Sequence, residues 1–143
     1  ILINLWRNNM YTEIEMWDLM WTGMLATSGF FLAWAFLLWV SLRAANIAGD
    51  SDNMISKIAV TAFCLVVVWQ INMLVAQVEW IVNGISGAFL ALQSQGTEIS
   101  SGALEMIAVA NPGAAYNLMP DVVSGIFILA ILVMQLTTIW MKK

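Results

Sequence analysis

The sequence predicts an all-α integral membrane protein with three transmembrane helices, at about residues 17–42, 58–78 and 120–141, and a partly helical outer segment at 79–119. Three observations carry that reading. Of 143 residues, 62% are hydrophobic and only 10% charged, against about 45–50% apolar and about 25% charged in a soluble domain. Nine acidic and five basic side chains are too few to cover an apolar core in water. Three runs also reach the length of about 20 residues that a helix needs to cross hydrocarbon, and Trp17, Trp21, Trp39, Trp80, Tyr116 and Trp140 fall near their ends, where amphipathic rings settle at a bilayer interface. The whole chain, 1–143, reads as one polytopic membrane domain.

Residues 1–16 form an N-terminal interfacial segment leading into the first span. In "EIEMWDLMWTGM", residues 13–24, the acids Glu13, Glu15 and Asp18 lie in the first turns of a helix, where negative charge faces the positive end of the helix dipole. Thr12 with Glu15 three residues on is a capping box. Met16, Met20 and Met24 recur every fourth residue and so share one helical stripe. Thioethers are ligands for soft Cu(I), but flexible methionines at this spacing are also what a packing face uses, and packing is the preferred reading. Further along, Thr22, Ala26, Gly29 and Ala33 form a stripe of small residues, which lets another backbone approach closely.

"RAANIAGDSDN" has the composition of a short polar turn, so the first two spans should run antiparallel. The second span carries Gln70 and Gln77 on one face. Beyond it, "EWIVNGISGAFLAL" is apolar but too short to cross a bilayer alone. It is expected to continue the second helix or to bend at Gly84 or Gly87, with Gly84, Gly87 and Ala88 offering a second close-packing surface. Asn72, Glu79 and Asn83 would share a face of such a continuous helix and could line a polar path or bind a partner's donor. "QSQGTEISSG" is a turn-rich loop, "ALEMIAVA" a short helix and "NPGAAYN" a second loop. Pro120 and Asp121 signal the start of the third span, in which Gln135 is an amide that needs a partner in lipid.

Lys and Arg are retained on the cytoplasmic side of short loops. Arg43 and Lys57 bracket the first loop and Lys142 and Lys143 close the chain, whereas residues 80–119 hold no basic residue and the N-terminal segment only Arg7. The expected orientation is N-terminus outside and C-terminus cytoplasmic, or the corresponding sides of a virion membrane. Glu13, Glu15, Asp18, Glu79, Glu98, Glu105 and Asp121 then make the outer face acidic.

Function is narrowed mainly by exclusion. There is no histidine and Cys64 is the single cysteine, so a His-ligated haem or zinc, a Ser-His-Asp triad and an internal disulfide cannot be built from this chain. No Gly-rich phosphate loop or nucleophile elbow is present, and five scattered basic residues do not make a nucleic-acid footprint. No cofactor is expected, and the expected partners are the lipid bilayer and other membrane subunits or copies of this chain. The favoured role is a non-catalytic structural or accessory subunit of a larger membrane assembly, in a cellular complex or a virion inner membrane. The alternative is a homo-oligomeric pore: three spans, an outer N-terminus and a short basic C-terminus resemble the topology of one class of phage holins. A transporter or metal-binding subunit using Met16, Met20 and Met24 is the third expectation.

Overall fold

A computed structural model describes residues 12–141, and within them the chain is helical without strands. Four helices follow one another: α1 (Glu13–Gly49), α2 (Met54–Ser94), α3 (Ser101–Val109) and α4 (Val122–Trp140). Of these, α1, α2 and α4 are long and apolar enough to cross a membrane. Arg7, Lys142 and Lys143, which contribute to the expected charge asymmetry, lie outside the described residues.

The expected first span is the middle of a longer helix. At about 1.5 Å per residue, the 37 residues of α1 extend about 55 Å, well beyond a hydrocarbon core of about 30 Å. Its start is the expected capping box: the Glu15 backbone N–H donates to Thr12 Oγ1 at 3.4 Å, and the Thr12 backbone N–H donates to Glu15 Oε2 at 2.6 Å. The turn to α2 is closed by Asn53, whose Oδ1 accepts from the N–H groups of Ile55 and Ser56 at 3.0 and 3.3 Å.

The second span and the first part of the outer segment are one element. α2 runs 41 residues, continuing through Gly84 and Gly87 without a break, so residues 79–94 extend the second helix, the first of the two expected arrangements, and no bend falls at either glycine. Apolar residues sustain it on both sides of residue 78: Ile71 and Leu74 before it, and Ile85, Phe89 and Leu92 after it, are all buried. It stops at Gly96, whose φ of +81° is left-handed backbone. Thr97 N–H then reaches back to Leu92 O at 3.2 Å and Gly96 N–H to Gln93 O at 3.0 Å, the paired bonds of a Schellman ending. The start of α4 also differs from expectation by two residues. Pro120, expected at the first helical position, precedes the helix, and Asp121 is the cap, its Oδ1 accepting from the N–H groups of Val123 and Ser124 at 2.8 and 3.0 Å.

Contacts divide the chain into two compact units, one built from residues up to Ala26 with Val78–Tyr116, the other from Thr27–Gln77 with residues from Asn117 onward. In the first, Met16, Met20, Ile85, Phe89, Leu92 and Ala103 form the core, with Trp17 stacked at a tilt on Phe89 at a ring distance of 5.0 Å. In the second, one cluster holds Trp34, Val67, Ile71 and Leu74 and another holds Ala45, Ala48, Cys64 and Ile139. Burial is sparse. Within the most apolar stretch of α1 and of α4, only 17% of residues are buried, and 33% within that of α2, so large side chains such as Leu32, Ile55, Val66 and Ile126 point outward.

Candidate functional site

In the first unit the side chains that matter fix the segment after α2. Asn83, half-buried on α2, holds the "NPG" turn with both its polar carbonyl groups: side-chain Oδ1 accepts from Asn111 N–H at 3.0 Å, and its backbone oxygen accepts from Gly113 N–H at 2.8 Å. One turn later Gly87 leaves room for that loop. A Cβ there would sit 2.9 Å from Gly113 N and 3.1 Å from Gly113 Cα. Trp80 and Tyr116 meet edge to face at 6.4 Å, fixing the outgoing chain.

Glu13 performs the same service for α3. Its carboxylate accepts from Ser100 N–H at 2.9 Å, from the Ser100 hydroxyl and from Trp17 Nε1 at 3.1 Å, while Ser100 itself caps α3 by accepting from Ala103 N–H. Glu13 lies in the first turn of α1, before the apolar run opens at Trp17. The Ser100 hydroxyl, then the Ser100 N–H and the Trp17 N–H, hold its carboxyl below the ordinary glutamate range because they favour the charged form.

The second unit contains a buried polar cluster. Gln135 on α4 is fully buried and its Nε2 donates to Ser41 Oγ at 2.8 Å. That hydroxyl donates in turn to Leu38 O at 2.8 Å, and the Cys64 thiol reaches Ser41 O at 3.7 Å. Gln135 Oε1 is buried without a hydrogen-bond partner among the described residues. Nearby within the same unit, Trp34 Nε1 donates to Val67 O at 2.7 Å, Trp140 Nε1 to Thr61 Oγ1 at 3.1 Å, and Asn72 Nδ2 to Leu118 O at 2.7 Å.

Against these positions the expected residues sort clearly. Met16 and Met20 are buried and Met24 half-buried among Ile85, Phe89 and Leu92, so the methionine stripe is a packing face between α1 and α2. Among the described residues no group of three or more Asp, Glu, Cys or His gathers as a metal site. Asn72 and Asn83 are engaged with backbone of the connecting segment, and Glu79 is exposed. Gln135 on α4 bonds to Ser41 on α1. Gln77 is half-buried and Gln70 exposed. Thr22, Ala26, Gly29 and Ala33 are all exposed, with nothing within 4 Å of a Cβ built on Gly29, so no close packing against this stripe is seen among the described residues. Gly84 is likewise open, whereas Gly87 makes a close approach and Ala88 packs against the first-unit core. Sequence reasoning missed Ser41, Thr61 and Trp34, because a hydroxyl or indole in an apolar run announces no partner dozens of residues away.

Chemically the arrangement holds backbone and joins helices. The hydroxyls described here bond to backbone carbonyls, a side-chain amide or a carboxylate. The chain matches no protein family model, no curated protein and no solved structure.

Proposed function

We propose that this chain is a non-catalytic membrane protein that crosses the bilayer three times, with its N-terminus outside and its C-terminus cytoplasmic, and serves as a structural subunit of a larger membrane assembly. The observation that carries the reading is the disposition of its polar and small residues along apolar helices. Asn72, Asn83, Ser41 and Gln135 fix segments within the chain, while the small-residue stripe of α1 remains open. Water would penalise helices whose large apolar side chains are this exposed; lipid does not. In lipid, helix association rests on close packing of small residues and on interhelical hydrogen bonds, and an open stripe of the first kind supports a mating helix from another polypeptide. Extraction of the native membrane in a mild detergent tests it. The expected result is recovery in stoichiometric association with a second polypeptide; recovery solely as an isolated chain would count against the reading.

A further inference from the structure

One stripe of α1 changes character in a fixed order as it leaves the apolar run. Leu32, Phe36, Trp39, Arg43, Asn46 and Asp50 follow one another at alternating intervals of four and three residues, which at 3.6 residues per turn sets them on one line along the helix. All six face outward. Leu32 is 76%, Phe36 62% and Trp39 58% exposed, and Arg43, Asn46 and Asp50 are exposed beyond them. From Trp39 to Asp50 the stripe borders a notch of about 410 Å³ that Leu42 and Ile47 also line. Along the axis the order is thus aliphatic, aromatic, cation, amide, anion, with Arg43 and Asp50 about 10 Å apart at 1.5 Å per residue.

We propose that this stripe seats one phosphatidylethanolamine molecule, an acyl chain along Leu32 and Phe36, its phosphate on Arg43 and its ammonium on Asp50. Position supplies the occupant. On the reading that α1 spans a bilayer, on which the inference rests, Leu32 and Phe36 meet acyl chains, and what continues along the same line into the interface is the headgroup of that lipid. The order of charge then chooses the headgroup. In this lipid the phosphate lies next to the chains and the ammonium farther out, the order of Arg43 and Asp50 counted from the apolar run. A guanidinium forks onto phosphate oxygens, and the Trp39 ring suits the level between chains and headgroup. An anionic headgroup would gain Arg43 but set its net charge against the Asp50 carboxylate, and like charges repel. Covering by another helix would account for the apolar half of the stripe and leave the order of its two charges unexplained.

The test uses the purified full chain, floated in vesicles of phosphatidylethanolamine and phosphatidylglycerol in equal parts, then extracted in mild detergent and weighed with its retained lipid by native mass spectrometry. The wild type should retain one phosphatidylethanolamine in preference to phosphatidylglycerol. Arg43→Gln should lower that retention about five-fold, the scale of one basic residue at a lipid surface, while Arg43→Lys, which keeps the charge, should stay within about two-fold of wild type. Asp50→Asn should still hold a lipid but lose the preference between the two. Lys57→Gln, which removes a basic residue off the stripe, should change neither. Arg43 and Asp50 are exposed, so their variants should retain helicity. Equal retention of both lipids by the wild type, an Arg43→Gln variant that retains lipid like the wild type, or an Asp50→Asn variant with its preference intact would overturn the proposal. Release of the lipid by excess inorganic phosphate would mark a site for a free anion and overturn it too, as would cross-linking of position 43 to another polypeptide in native membranes. A chain that does not float would instead remove the spanning reading beneath it.

Discussion

A methyl group built on Gly87 would lie 2.9 Å from a backbone nitrogen of the "NPG" turn, and backbone on both sides leaves little to yield. The loop is also held by two hydrogen bonds from Asn83 one turn away, so it cannot simply retreat. Gly87→Ala should therefore destabilise the fold by about 1–3 kcal/mol, the usual cost of overpacking. Gly84 supplies the control. It is exposed with nothing within 4 Å of its Cβ position, and in a helix interior Ala is favoured over Gly by roughly 0.5–1 kcal/mol, so Gly84→Ala should be neutral or stabilising. Unfolding in a graded mixture of mild and denaturing detergent, followed by helicity and tryptophan fluorescence, separates the two; equal behaviour would show that the close approach is not tight. The two glycines stand in one short motif, and their difference is not legible there, because it is set by where residue 113 returns in space.

At the scale of elements, α3 is short and held by few groups. Its nine residues are marginal as an isolated helix in water, and the contacts that position it are Ala103, Met106 and Ile107 in the first-unit core together with the Glu13 carboxylate on Ser100. Glu13 has its folded pKa depressed, first by the Ser100 hydroxyl. A depressed carboxylate contributes stability that is fully present above its unfolded value and is lost as pH falls through the folded one. The protection of α3 amides against exchange, taken relative to the intrinsic rate at each pH, should thus fall on acidification through and below the ordinary glutamate range, more than protection in the middle of α2. Glu13→Gln should flatten that dependence while leaving α2 unchanged; an unaltered pH profile in the variant would assign the acid response to another group. The cap at Thr12 and Glu15 and the three apolar runs were readable from sequence, since both depend on residues within a turn or two of each other. The tie from Glu13 to Ser100 spans 87 positions and leaves no local mark. The continuity of α2 past residue 78 was readable only in part: the apolar run persists, but Glu79 interrupts its hydrophobicity and Gly84 and Gly87 are weak helix formers, and burial of Ile85, Phe89 and Leu92 against the methionine face of α1 is what outweighs the two glycines.

For the whole molecule, two arguments bear on placement and they draw on different residues. Length is the first. α4, with 19 residues, matches a hydrocarbon core of about 30 Å, whereas α1 and α2, with 37 and 41, exceed it roughly two-fold, so in the proposed spanning arrangement part of each lies outside the hydrocarbon. Charge is the second, and it says which end leaves on which side. The turn between α1 and α2 is bracketed by Arg43 and Lys57, whereas the far end of α2 through the start of α4 contains Glu98, Glu105 and Asp121 and no Lys or Arg. Basic residues near span ends are retained in the cytoplasm, so the proposed orientation has the α1–α2 turn inside and the α2–α3 loop outside. Cysteines introduced at Asp52 and Gln95, both exposed and outside the helices, test this in a Cys64→Ala background, which removes the buried thiol. A membrane-impermeant maleimide added to intact cells should label position 95 and leave 52 unlabelled until the membrane is opened. The reverse pattern would invert the orientation. Labelling of both positions in intact cells would mean that α2 does not cross at all, and the spanning assignment of a helix this apolar would have to give way to one in which other protein, rather than lipid, covers it.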